Sequence, residues 1–182
     1  PVVHGRLYCS CHEQTQAIPM SEPTLQHTPF LGAADYIAAL DTLCKLPRHS
    51  LCIFEKDFDG IGFNSEARFE SLRHFLLANP NNRLQLLAHN TRPLSQYCPR
   101  MMMLLKQFGH SMAIYETPKH LQHISEPFAV ADETHYVRRF HFDDTRGILA
   151  QNDPEGGRLL KARFAEMWTA SHPSTLTTTL SL

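Results

Sequence analysis

The sequence predicts an α/β domain in which helices sandwich a mostly parallel, mixed sheet. From Gly32 onward, apolar segments of strand length alternate with segments whose apolar residues have helical spacing, and this order requires a parallel sheet covered on both faces. Two late strand-like segments are separated by Asp132 and Glu133, which favours a hairpin and adds an antiparallel element. A chain of 182 residues with 42% hydrophobic residues suits one such domain.

The first elements are bounded by helix and turn signals. A helix is predicted over residues 33–46, because its apolar residues recur at helical spacing and Pro47 ends it. A short apolar strand is predicted at 50–54. After a loop with two glycines, Asn64 is a suitable N-cap for a second helix over residues 65–78.

The remaining elements continue the alternation. Four further strands and one further helix are predicted: strands at 83–88, 111–115, 127–131 and 134–138, and a helix that Pro99 opens and Gly109 closes. Asp153 and Pro154 form the cap and the first position of a final helix. Phe164 and Trp168 lie four residues apart on that helix, so we expect them to share a face that is buried against the sheet.

Composition divides the chain into three parts. We expect an irregular lead-in over residues 1–32, a domain over 33–172 and a C-terminal tail over 173–182. Five cysteines do not form a disulfide framework, and the chain opens without a secretory pattern, so we expect a reducing cytoplasm. Residues 9–12 (CSCH) lack the second ligand pair of a zinc site, and neither a metal nor a cofactor is expected. The start at Pro1 fits either processing or a piece of a longer protein.

The charge balance restricts the class of partner. Lysine and arginine total 17 against 18 acidic residues, and the resulting net charge of −1 argues against nucleic acid as a partner. No apolar run is long enough to span a membrane. Twelve histidines make the surface charge sensitive to pH.

The segment 132–141 (DETHYVRRFH) contains the candidate ligand-binding residues, which are Asp132, His135, Arg138, Arg139 and His141. An arginine beside histidines can hold a phosphate through charge-assisted hydrogen bonds. Adjacent arginines in a strand point to opposite faces, so only one of Arg138 and Arg139 can belong to a given pocket. The same pattern also fits a solvated edge strand.

A second candidate follows the first predicted strand. Asp57 and Asp59 stand where α/β proteins place ligand groups, at the carboxyl end of a strand. Acidic residues near glycines are also ordinary turn residues. The chain contains no phosphate-binding glycine loop, no G-x-S-x-G elbow and no H-E-x-x-H motif.

Residues 125–168 (SEPFAVADETHYVRRFHFDDTRGILAQNDPEGGRLLKARFAEMW) resemble the terminal segment of a phospholipase D-like half-domain. The Asp153-Pro154 helix start and the spacing of Phe164 and Trp168 match that family's aspartate-proline start and its F-x-x-x-W helix. The resemblance extends over residues 33–172 and is most detailed for DUF7931, a bacterial family described as phospholipase D-like without its active site. It implies the phospholipase D-like half-domain fold.

The H-x-K-x-x-x-x-D signature of the resembling family is incomplete here. Asp132 fits the aspartate, but Ser125 stands in the place of the nucleophilic histidine and Pro127 in the place of the phosphate-binding lysine. The family's downstream glycine, serine and asparagine fall near Arg139, Phe140 and Asp143. The resemblance therefore implies no catalytic residue in this chain, because the reaction needs an imidazole nucleophile, an imidazole acid and lysines that neutralise phosphate oxygens.

Three functions fit these observations. The leading hypothesis is a non-catalytic phospholipase D-like domain with a binding, assembly or regulatory role and a phosphate-containing ligand. Because active members of the family use two half-domains, the resemblance also implies a homodimer. The alternatives are a divergent phosphodiesterase or nuclease that uses His123, His135 or His141, and the C-terminal module of a larger enzyme.

Overall fold

The computed structural model of the chain describes residues 23–176. Eight strands occur in this range: β1 (Gln26–Leu31), β2 (Ser50–Glu55), β3 (Arg83–Ala88), β4 (Met112–Glu116), β5 (Phe128–Ala131), β6 (His135–Arg139), β7 (Arg146–Gln151) and β8 (His172–Pro173). The five α-helices of the same range are α1 (Ala33–Leu43), α2 (Glu66–Ala78), α3 (Arg92–Tyr97), α4 (Pro99–Gln107) and α5 (Pro154–Ala170). The CSCH segment and the last six residues of the predicted tail lie outside the described residues.

All the described strands join one sheet in the order β1-β7-β6-β5-β2-β3-β4-β8. The neighbours β2, β3 and β4 are parallel, and the β5–β6 hairpin is antiparallel. The predicted α/β class with a mixed, helix-covered sheet is thus confirmed. The parallel part is the centre of the sheet only, because β1 and β7, which were not predicted, add further antiparallel pairs on one side.

Strand β1 differs from the irregular structure expected for residues 26–31. It pairs with β7 along its whole length and forms one edge of the sheet. Nearly all of its residues are exposed, and Pro29 lies within it, so the segment has neither the alternation nor the composition of an inner strand. Strand β7 was not predicted because Gly147 interrupts its pattern of strand-forming residues. A Cβ atom at this glycine would lie 2.3 Å from the Arg138 carbonyl oxygen.

The two faces of the sheet carry separate cores. Leu51 and Ile53 of β2 face the larger core, which α1, α2 and α4 cover. Cys52 and Phe54, which alternate with them, face the smaller core under α5. The sheet is therefore covered on both faces, and the ends of its strands are where the connecting loops can place ligand groups.

Helix α5 begins and packs as the sequence predicts. The Asp153 side chain caps the helix by accepting a hydrogen bond from the Gly156 amide at 3.0 Å. Phe164 is buried in the core under the helix, and the partly buried Trp168 stacks on Tyr115 with 4.0 Å between ring centroids. None of the helices within residues 23–176 combines the length and the apolar character needed to cross a membrane.

Replacing Trp168 with alanine removes its stacking on Tyr115 and Phe164, and we expect the free energy of unfolding to fall by about 2–4 kcal/mol. Trp168→Phe keeps an aromatic ring and should lose less. Urea unfolding followed by circular dichroism at two protein concentrations measures both losses, with the exposed Glu166→Ala on the same helix as the control. Packing within one chain does not depend on protein concentration. A loss of unfolding free energy that changes with protein concentration would therefore contradict this packing.

Candidate functional site

The Asp132 side chain links the β5–β6 hairpin to the start of β2 through hydrogen bonds. Asp132 and Glu133 both have positive φ angles, 51° and 61°, as a tight hairpin turn requires. The Asp132 carboxylate accepts hydrogen bonds from three successive backbone amides, those of Arg48, His49 and Ser50, at 2.5, 2.9 and 2.8 Å. The donors of all three hydrogen bonds are backbone amides of the chain itself. The bonds lie where the parallel strands begin, and we call this end of the sheet the amino edge.

The five candidate residues of segment 132–141 are divided between the two edges of the sheet. His135 pairs with Ala131 beside the turn, and its Nδ1 accepts a hydrogen bond from the Asn152 amide at 3.1 Å. Arg138 and Arg139 lie at the far end of β6, and His141 lies beyond them. The structure therefore does not bring Asp132 together with Arg138 or His141, because the length of the hairpin separates them.

The two adjacent arginines point to opposite faces of the sheet, as strand geometry predicts. Arg138 is exposed, and its guanidinium lies 5.9 Å from the centre of the Phe140 ring. Arg139 instead faces α1, where its guanidinium stacks 4.2 Å above the Tyr36 ring. Its Nη2 lies 3.5 Å from Oε2 of Glu55, the last residue of β2.

Glu55, Tyr36 and Arg139 form a buried polar cluster that sequence reasoning missed. The Tyr36 hydroxyl donates a hydrogen bond to Glu55 Oε1, and Glu55 is only 2% exposed. Burial raises the pKa of Glu55 to about 7; the nearby Asp57 also raises it, while Tyr36 and Arg139 oppose the increase. The only signal in the sequence is an acidic residue that ends an otherwise apolar strand.

A cavity of about 370 Å³ opens at the opposite edge, where the parallel strands end. We call it the carboxyl-edge cavity. Its lining residues come from the segments that follow β2 and β3, precede β5 and follow β6; they are Lys56, Asp57, His89, Asn90, Gln122, Ser125, His141, Phe142 and Asp143. Of the residues singled out in the sequence, the structure brings Asp57, Ser125, His141 and Asp143 together here. Asp59, in contrast, is not among the lining residues.

His89 forms a fixed wall of the carboxyl-edge cavity. Its Nε2 lies 2.7 Å from the Ile124 carbonyl oxygen and its Nδ1 lies 2.5 Å from Thr117 Oγ1. Because a carbonyl can only accept, Nε2 carries the proton and Nδ1 accepts from the threonine hydroxyl. Burial lowers the pKa of His89, so the ring is held neutral. Edge contacts with Phe54 and Phe142 complete its packing.

Exposed polar groups form the rest of the cavity wall. His141 Nδ1 accepts a hydrogen bond from the Asp143 amide at 3.0 Å, which leaves the proton on Nε2 for a ligand. The Ser125 carbonyl accepts from the Phe142 amide at 2.8 Å, which ties the segment before β5 to the segment after β6. Lys56 is the only lysine or arginine among the lining residues, whereas Asp57 and Asp143 are acidic.

A family model described as "Domain of unknown function (DUF7931)" matches residues 32–180. The chain belongs to this family. The search of the curated proteins found no match to this DUF7931 chain.

Among the solved structures with a similar fold are those of three proteins of 10–11% sequence identity. The archaeal chromatin protein TrmBL2 has a TM-score of 0.62 over 88% of this chain, which spans 57% of the TrmBL2 chain. Nuc from Salmonella typhimurium, a phospholipase D family member, has a TM-score of 0.57 over 84% of this chain and 99% of its own. NucT from Helicobacter pylori has a TM-score of 0.54 over 83% and 100%. The DUF7931 chain therefore has a phospholipase D-like fold.

Replacing Asp132 with alanine leaves three amides without their acceptor and places alanine at a positive φ angle. We expect the free energy of unfolding to fall by about 2–4 kcal/mol. Asp132→Asn keeps one acceptor oxygen and a side chain that tolerates this backbone conformation, so it should lose about half as much. Urea unfolding of the two variants measures the difference, and equal losses would contradict the anchoring role.

The buried Glu55 makes the stability of the fold depend on pH. Its pKa of about 7 in the folded protein lies above its ordinary value of 4.5, so the folded state binds the proton more tightly than the unfolded state. This contribution to stability is complete below pH 4.5 and is lost as the pH rises through 7. The free energy of unfolding of Glu55→Gln, measured relative to the wild type, should therefore increase from pH 5 to pH 8.

Urea unfolding of both proteins at several pH values in this range provides the measurement. Glu66→Gln, at the exposed start of α2, controls for the loss of one carboxylate. A difference between Glu55→Gln and the wild type that stays constant over the range would contradict proton uptake by Glu55.

Proposed function

We propose that this chain is a non-hydrolytic, ligand-binding domain on a phospholipase D-like fold, and that the carboxyl-edge cavity holds a phosphodiester. The observation that carries the proposal is the convergence of Lys56, Ser125 and His141 on one cavity at the edge where α/β proteins bind ligands. These three side chains supply an ammonium, a hydroxyl and the Nε2–H of an imidazole, all of which donate hydrogen bonds to phosphate oxygens.

The charges in the cavity favour a phosphodiester over a phosphate dianion. One lysine stands beside two carboxylates, those of Asp57 and Asp143, so a second negative charge on the ligand would have no cation to pair with, and a monoanion is favoured over a dianion. The neutral donors Asn90 and Gln122 add hydrogen bonds without adding charge. The net charge of −1 also favours a small anion over a nucleic acid as the partner, although the structurally similar TrmBL2 is a chromatin protein that binds DNA.

The same groups support binding without hydrolysis. Serine occupies the position of the family's nucleophilic histidine, and Pro127 replaces the lysine that neutralises phosphate oxygens. Both nitrogens of His89 are engaged in internal hydrogen bonds, so its ring neither attacks phosphorus nor activates Ser125. An enzyme that loses its nucleophile, or the cation that stabilises charge in the transition state, loses orders of magnitude in reaction rate. It can still bind the substrate in its ground state.

One observation favours hydrolysis as a second candidate function. Ser125 and His141 line the same cavity, and a serine activated by an imidazole is a nucleophile, which here requires His141 to release the Asp143 amide so that one ring nitrogen can accept the serine proton. The other two histidines considered for this role lie elsewhere. His123 is exposed, with its Nδ1 on the His120 carbonyl, and His135 is at the amino edge. A divergent phosphodiesterase would therefore depend on His141.

Titration with dimethyl phosphate, followed by amide NMR spectra of the whole chain, tests the proposed binding. We expect saturable shifts at Lys56, Ser125 and His141. Lys56→Gln should weaken binding about tenfold, because it removes the lining lysine. Lys106→Gln, on α4 and outside the cavity lining, is the matched control and should leave the affinity unchanged. An absence of saturable shifts at the cavity would overturn the proposal.

Turnover of bis(para-nitrophenyl) phosphate separates the two candidate functions. We expect the release of nitrophenol to stay at the rate of buffer for the wild type, Ser125→Ala and His141→Ala. Turnover by the wild type that is lost in both variants would overturn the non-hydrolytic proposal and establish the serine–histidine alternative.

A further inference from the structure

A second cavity, of about 890 Å³, lies at the opposite edge of the sheet from the carboxyl-edge cavity. Its walls are the segment between α1 and β2, residues 44–48, and the outer face of α2. Asn79 and Asn82, which precede β3, close its base. We call this cavity the amino-edge groove. The signature segment of the phospholipase D-like family ends at Asp132 and contributes no side chain to its lining.

Cations predominate among the charged residues of the amino-edge groove. The cations Lys45 and Arg48 line it beside the imidazole of His74, and all three side chains are exposed. Within residues 23–176, the side chains of these three make no hydrogen bond or ion pair; the bond from Arg48 to Asp132 comes from the backbone amide. The acidic lining residue, Glu70, already lies 3.6 Å from Arg73. The groove therefore offers uncompensated positive charge to an anion.

A buried acceptor adds a second requirement for the ligand. Asn82 is 1% exposed, and its Nδ2 donates to the Phe75 carbonyl at 2.7 Å, which fixes the orientation of the side-chain amide. Its Oδ1 is buried and receives no hydrogen bond from any residue that the structure describes. A buried oxygen without a donor is unfavourable and rare, so it calls for a donor from outside the protein. The groove, which Asn82 lines, is the side from which that donor can come.

We propose that the amino-edge groove binds a small organic anion that also carries a hydroxyl group, such as a phosphorylated polyol. The phosphate pairs with Lys45 and Arg48, since a guanidinium fork matches two phosphate oxygens. The hydroxyl donates a hydrogen bond to Asn82 Oδ1, which has no donor among the described residues. Leu46, Pro47 and Phe75 supply the apolar wall against which the carbon chain packs. This site is independent of the phosphodiester cavity proposed above.

Three probes distinguish the requirements of the groove: glycerol phosphate, inorganic phosphate and glycerol. Each is titrated into the isotope-labelled whole chain at constant ionic strength, with amide NMR spectra as the readout. We expect saturable shifts at Lys45, Arg48 and Asn82 with glycerol phosphate, about fivefold weaker binding of inorganic phosphate and none of glycerol. Equal affinities for glycerol phosphate and inorganic phosphate, or no saturable shift at the groove, would overturn the inference.

Variants separate this site from the carboxyl-edge cavity. Lys45→Gln and Arg48→Gln change exposed side chains and should each weaken glycerol phosphate binding about tenfold. Lys56→Gln, which affects the proposed phosphodiester cavity, should leave groove binding unchanged. If only Lys56→Gln weakens binding of glycerol phosphate, the groove is not its site and the carboxyl-edge cavity is retained. If only the groove variants weaken binding of glycerol phosphate, and dimethyl phosphate does not bind, the inference about the groove holds and the proposed function is wrong.

Discussion

The hydrogen bonds that the Asp132 carboxylate accepts from three amides at the start of β2 hold the two halves of the sheet in register. Strands β2, β3 and β4 form the parallel half, and the hairpin begins the antiparallel half. The two halves meet where β2 pairs with β5, and Asp132 lies one residue beyond that pairing. An ionised acceptor with three donors is a strong local restraint. It fixes where β5 ends and β6 begins, and the register that follows positions the segments before β5 and after β6 that line the carboxyl-edge cavity.

The sequence predicted an element correctly where the residues of that one segment determine its structure. The N-cap Asp153, the proline after it and the spacing of Phe164 and Trp168 are local features, and helix α5 begins and packs accordingly. Strand β1 was missed because its conformation depends on pairing with β7, which lies more than a hundred residues away. An exposed edge strand needs no apolar alternation, so nothing within residues 26–31 distinguishes it from a loop.

The candidate site was predictable only in part, for a related reason. The rule that ligand groups follow parallel strands led to Asp57, and the same rule applies to Lys56 and His89, whose neighbourhood is set by the sheet order. Asp132 and His141 are nine positions apart in sequence, and a hairpin directs them to opposite edges. The roles of Glu55 and Arg139 depend on a contact between β2, β6 and α1, which no spacing within one segment reveals.

The pairing of β1 with β7 has a consequence for how the chain folds during synthesis. His27 and Asp153, which bond beside this pair, are 126 positions apart, so the contact closes a loop that contains most of the domain. Contacts of such long range form late and slow the folding of the whole chain. While the ribosome extends the chain, residues 26–31 have no partner strand until β7 emerges, and their exposed backbone groups remain available to other nascent chains.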